Sequence, residues 1–177
     1  MTGYFSKFPL KEFDVDGSGI FYLLTNIVHR VKIRNLVKNN LYVYDQWILE
    51  DGDSPETIAH KYYGSTKYYW IVMMCNDVTD PYFDWLMSYN NFIAFIKSIY
   101  GSVEASTQLI HHYEDLYGNY IDFTTYDDLA DNERLAVNCY DYYNGVNESK
   151  RTIKLLEKVY LGQIEEEIDK LLSGLSE

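Results

Sequence analysis

Basic residues are scarce in this sequence. Fifteen lysines and arginines stand against 27 aspartates and glutamates, a formal net charge of −12, and an acidic surface of that size repels phosphate backbones and anionic lipid headgroups. Roles on nucleic acid or at a membrane surface are thereby disfavoured. Cysteine is scarcer still: Cys75 and Cys139 are the only two among 177 residues. That is too few for a disulfide framework, and Cys75 falls in an apolar helical stretch where a thiol behaves as a small hydrophobe. Both are expected to be reduced. No apolar run reaches the roughly 18 residues of a bilayer span, and no charged-then-apolar segment opens the chain. The protein is expected to be made and used without crossing a membrane by itself.

Catalytic signatures are also missing. No G-x-S-x-G, phosphate-binding P-loop or G-x-G-x-x-G occurs. Asp14-Val15-Asp16-Gly17-Ser18-Gly19 matches the opening of a calcium loop, but the twelfth position is Thr25, where an EF-hand needs a bidentate carboxylate, so a polar turn is expected. His111 and His112 are adjacent on a strand-like run, which predicts side chains on opposite faces and no shared metal ion. His29 and His60 lack ligands at local spacing and read as polar-face helix residues. Glu165-Glu166-Glu167 reads as a solvated helix face and Asp127-Asp128 as loop charge. Asn147-Glu148-Ser149 fits a glycosylation acceptor, without meaning outside a secretory route. No catalytic residue, metal or cofactor is expected.

What is present is tyrosine, 19 copies of it. Its rigid ring and hydroxyl suit either subunit interfaces or a β-rich core. The length suits one core with appended arms. The best-specified stretch runs from Trp47 to Asn76. A strand beginning near Leu41 ends at Leu49, and Glu50-Asp51-Gly52-Asp53 supplies turn chemistry. Ser54 is placed to cap a helix, with Pro55 at its first position, Glu56 at the positive end of its dipole and Gly64 as its stop. Ser65 or Thr66 can cap a second helix carrying Tyr69, Trp70, Met73 and Met74 on one buried face, with Asn76 as a left-handed stop.

Residues Met1 to Gly19 carry Tyr4, Phe5, Phe8 and Phe13 without strand or helix period, the pattern of an arm that docks by its rings. Leu23, Leu24, Ile27, Val28 and Val31 predict a helix over Tyr22 to Val31, with a β-branched tail that could already be extended. Ser88 can cap a third helix ending at Gly101. Runs at Gln108 to Tyr113 and Tyr120 to Thr125 predict a hairpin, and Tyr126 to Asn147 an ordered irregular loop. Arg151 to Glu157 reads as a strand and Gln163 to Leu172 as an amphipathic helix with Ile164 and Ile168 on its stripe. That helix is short for independent stability in water, so it too is expected to be fixed by a partner. No repeat or low-complexity segment is visible. The predicted class is α+β: a βαα(β) core, an N-terminal aromatic arm and helix, a third packing helix, a hairpin, and a C-terminal strand and helix. The expected segments are 1–40, 41–101 and 102–177.

Gly52-Asp53-Ser54, Ile58-Ala59, Lys61-Tyr62, Gly64, Trp70 and Asn76, in that order, resemble a LysM module. Tyr68-Tyr69-Trp70, Met74-Cys75-Asn76 and Asp80-Pro81-Tyr82-Phe83-Asp84-Trp85 narrow the resemblance to the LysM-containing baseplate wedge protein family, wedge protein 53, of contractile-tailed bacteriophages. Tyr4-Phe5 to Pro9, Asn26-Ile27-Val28 to Val31, and Asn147-Glu148-Ser149-Lys150-Arg151 to Leu156 are similar to it as well, so most of the chain is covered. The resemblance implies a structural, non-enzymatic virion component in the tail baseplate, synthesised in the host cytoplasm. It implies binding to other wedge and tail proteins, in six or a multiple of six copies, that joins neighbouring wedges into a six-fold ring. Candidate protein-binding residues are Tyr4, Phe5, Phe8, Phe13, Tyr82, Trp85, Ile164 and Ile168. The rival is a peptidoglycan-binding LysM module, its groove formed by Gly52, Asp53, Ser54, Asn76 and Asp80. Tyr82-Phe83-Asp84-Trp85-Leu86 replaces the Pro-Gly turn and closing strand of glycan binders, so no glycan ligand is expected.

Overall fold

The computed structural model describes residues 4–27 and 43–173. A 3-10 turn at Tyr4–Lys7 leads into β1 (Leu10–Asp14) and β2 (Phe21–Thr25), antiparallel partners with Leu10 opposite Thr25 and Asp14 opposite Phe21. Strand β2 corrects the helix expected from Tyr22. Gly17 and Gly19 take positive φ, which closes a tight turn at little steric cost. Asp14 Oδ2 accepts from Gly19 N–H at 3.0 Å and Asp16 from Ser18, so the calcium-like stretch is the hairpin turn. Residues 28–31 of the expected helix, His29, and the start of the expected strand at Leu41 lie outside the described residues.

Strand β3 (Tyr44–Ile48) follows, then α1 (Pro55–Tyr63), a 3-10 turn at Thr66–Tyr68 and α2 (Tyr69–Cys75). The caps of α1 are those expected. Ser54 accepts from Thr57 N–H, the Thr57 hydroxyl answers Ser54 N–H, Pro55 opens the helix and Gly64 ends it. Helix α3 (Tyr89–Tyr100), capped by Ser88, is followed by α4 (Val103–Gln108), β4 (Ile110–Asp115) and β5 (Tyr120–Ile121). The expected irregular loop is instead ordered as α5 (Phe123–Asp128), β6 (Arg134–Asn138) and α6 (Cys139–Glu148). Asp122 and Asn138 cap the two helices, and β6 pairs with β4, so the hairpin grows into a sheet of order β5-β4-β6. Strand β7 (Thr152–Leu156) and helix α7 (Leu161–Ser173) complete the described elements.

Strand β7 pairs with β3. Glu157 N–H donates to Val43 O and Leu49 N–H to Arg151 O, an order that makes the pair antiparallel. The closing strand of the βαα unit thus comes from far along the chain.

Packing divides the chain into two units. Unit 1 comprises residues 1–47, 54–79 and 153–177; unit 2 comprises 48–53 and 80–152. Described residues from the segments 1–40, 41–101 and 102–177 all contribute to unit 1. The core of unit 1 gathers Phe8, Val43, Tyr44, Trp70, Ile71, Cys75, Leu156, Ile168 and Leu172. Within unit 2, Trp85, Leu86, Phe92, Ile96 and Cys139 are buried, and α6 packs on α3, α4 and β4. Neither Cys75 nor Cys139 forms a disulfide. Among the described residues no helix is long and apolar enough to cross a membrane.

Candidate interaction surfaces

In unit 1 the N-terminal turn is seated on its own core. Tyr4 stacks on Trp70 with centroids 5.1 Å apart and meets Phe8 edge to face. Tyr4, Phe5 and Phe8 stand at i, i+1 and i+4, a helical spacing that the short 3-10 turn uses to converge its rings. Phe8 is 6% exposed and Ile168 3%, so the apolar surface of both is already used inside the chain. This corrects their place as ring and stripe residues waiting for a partner. Helix α7 owes its stability to burying Ile168 and Leu172, with Ile164 half-buried beside them. Lys7 pairs with Asp169 at 2.8 Å and Lys67 with Glu165 at 3.4 Å, surface contacts worth about 0–1 kcal/mol each. Phe5 stays exposed, and Phe13, half-buried, lies opposite Tyr22 in the hairpin.

Two tyrosines join β3, α1 and β7. The Tyr62 hydroxyl donates to Asp45, and the Tyr63 hydroxyl donates to Leu156 O at 2.9 Å. Burial is the main cause holding both hydroxyls well above the usual tyrosine range, with Asp45 adding to it at Tyr62. Burial likewise pushes Tyr44 up to about 12. Its hydroxyl has no hydrogen-bond partner among the described residues.

Four of the five groove residues, Asp53, Ser54, Asn76 and Asp80, make side-chain bonds within the chain. In unit 1, Ser54 caps α1, and the Asn76 amide bridges to Lys154 while donating to Val72 O. Asn76 itself has φ −110; the positive φ expected there belongs to Asp77. In unit 2, Gly52 forms the turn with positive φ, Asp53 Oδ2 accepts from Glu50 N–H, and Asp80 Oδ1 accepts from Tyr82 N–H. Trp85 is buried and its indole donates to Asp53 O at 2.7 Å, whereas Tyr82 is 81% exposed. Trp85 therefore holds the turn, and Tyr82 offers its ring to solvent. Sequence reasoning missed Asn147, a buried amide paired with both backbone groups of Met87.

The histidine pair departs from expectation. A bulge between Ile110 and His112 breaks the alternation, and the two Nδ1 atoms lie 2.7 Å apart. His111 stacks on Tyr142 with centroids 3.7 Å apart, and His112 Nε2 meets Glu114 at 2.7 Å. Among the described residues no group of three His, Cys, Asp or Glu is placed to hold a metal ion.

Comparison with known proteins gives the class: structural proteins of the phage virion, located in the tail baseplate. A family model described as Base plate wedge protein 53 matches residues 24–170, and the chain belongs to that family. It is similar to Baseplate wedge protein gp53 of Enterobacteria phage T4, with 27% identity over 132 residues. That match covers 63% of this chain and 65% of the T4 protein's length.

Proposed function

We propose that the chain is a non-enzymatic subunit that binds other wedge and tail proteins and helps join neighbouring wedges into a six-fold baseplate, in six or a multiple of six copies. Family membership supports the baseplate role. The observation that carries binding to proteins rather than to glycan is the contrast between two residue sets. Groove residues Ser54, Asn76, Asp53 and Asp80 are engaged in capping, strand closure and turns. Large rings such as Phe5 and Tyr82 are left at the surface, and aromatic residues of this kind supply interface contact at small entropic cost. Phe13 and Ile164, half-buried, are contributors at the edge of such contacts. Nucleic acid and membrane are not partners in this reading, given the net charge of −12.

The test is purification of baseplates from infected cells, with quantification of this chain against the other subunits. A stoichiometry of six or a multiple of six is expected. Absence from washed baseplates, or co-sedimentation of the isolated protein with purified sacculi at physiological salt, would replace this reading with the glycan-binding one.

A further inference from the structure

The hairpin β1-β2 is unusual for a protein surface. Its strands make their main contact with each other, and two-stranded ribbons are marginal alone. At its base Asn26 is buried and its N–H donates to Pro9 O at 2.8 Å. Directly opposed residues share a face, so the register places Leu10, Glu12, Asp14, Phe21, Leu23 and Thr25 on one side. Lys11, Phe13, Tyr22 and Leu24 take the other side. On the first face Leu10, Phe21 and Leu23 are 60%, 63% and 62% exposed. Three large apolar side chains this open on one strand pair mark an interaction site.

The charge pattern indicates what covers them. Leu23 lies opposite Glu12 and Phe21 opposite Asp14, so two of the three exposed side chains have a carboxylate opposite them, and neither strand puts a basic residue on this face. The one lysine of the two strands, Lys11, is on the reverse. A second copy would set these carboxylates against their own kind, between chains each carrying −12, an arrangement that costs several kcal/mol across an interface.

We propose that this face of the hairpin docks onto another baseplate subunit through an apolar surface edged by lysine or arginine, with Phe21 and Leu23 as anchors and Glu12 and Asp14 as the charges that set register. The inference rests on the baseplate reading above and names the surface and the chemistry of its partner. Apolar anchors supply the affinity, while charges at the rim govern encounter and exclude wrong partners.

A photo-crosslinking residue, p-benzoylphenylalanine, in place of Phe21 tests it in assembled baseplates, with products mapped by mass spectrometry. The expected product joins residue 21 to a different subunit, at a segment where apolar residues are flanked by lysine or arginine. Crosslinking to a second copy, to this chain itself, to a segment without basic residues, or to nothing overturns the proposal. In parallel, Glu12→Lys is expected to lower incorporation about tenfold or more while its melting temperature stays at the wild-type value, because this carboxylate is exposed and lies outside the Asp14–Gly19 turn. Incorporation at the wild-type level overturns the proposal and leaves the baseplate reading intact. If the wild-type chain is itself absent from purified baseplates, both fall together.

Discussion

The side chain of Asn76 reads both backbone groups of Lys154, accepting from its N–H and donating to its carbonyl, each at 2.8 Å across 78 positions. This amide fastens β7 to the end of α2 and so completes the βαα unit. Asn76→Ala leaves two partly buried backbone groups without that partner, and the expected loss is about 2–4 kcal/mol. Urea denaturation measures it; a loss below about 0.5 kcal/mol, the size of an ordinary surface substitution, would mean that β7 is held by its ladder alone.

The two ends of the chain are expected to behave as core. Ile168→Asp puts a carboxylate among Trp70, Ile71 and Leu156 and should destabilise unit 1 by about 4 kcal/mol or more. Tyr82→Ser, at an open position, should leave the melting temperature unchanged. Thermal melting of the two variants side by side decides between a packed and a docking C-terminal helix.

Legibility in the sequence followed the range of the interaction. Helix α1 was readable to the residue because Ser54, Pro55 and Gly64 act on their immediate neighbours, and the answering bond from Thr57 was the one part of the cap not read. The same holds for α3, fixed by Ser88 and Gly101. Strand β6 and helix α6 were not readable, because Tyr140, Tyr142 and Tyr143 serve as packing rings against Phe92, His111 and Phe95, and their spacing carries no apolar period when tyrosine counts as polar. The partner of β3 was out of reach for another reason: nothing near Tyr82 to Leu86 announces that the closing strand waits at Thr152. Among the surface residues, exposure separated Tyr82 from Trp85, three positions apart, and only the indole bond to Asp53 tells why.

Tyr44 offers the opposite of a stabilising hydroxyl. Its oxygen is buried without a hydrogen-bond partner among the described residues, and an unmet polar group of this kind costs about 1–3 kcal/mol. Tyr44→Phe is therefore expected to be neutral or stabilising, by up to about 1 kcal/mol. A clear drop in the denaturation midpoint would refute this and show that the oxygen has a partner in solution.

Acid should weaken unit 2. Hydrogen bonds hold three carboxyls below their ordinary values: Asn119 at Asp115, Thr125 at Asp122, and Arg151 at Glu148. Depressed values mean that their contribution is complete above the ordinary 3.8 of the aspartates and 4.5 of the glutamate, and is lost as pH falls through the depressed ones. Urea midpoints should be level from pH 7 to about 5 and fall below about 4. Asp115→Asn combined with Asp122→Asn should flatten part of that fall.

The distant origin of β7 sets a timetable for synthesis. On a ribosome adding about 5–20 residues per second, β3 leaves the exit tunnel several seconds or more before its partner exists. Unit 2, nearly continuous in sequence, emerges ahead of β7 and is free to begin folding on local contacts. Throughout that interval β3 presents an unmatched edge to other nascent chains, the condition under which wrong strand pairing begins. Maturation of the first unit is thus timed by translation of the last, and Leu156 and α7 act as the latch that ends its vulnerability.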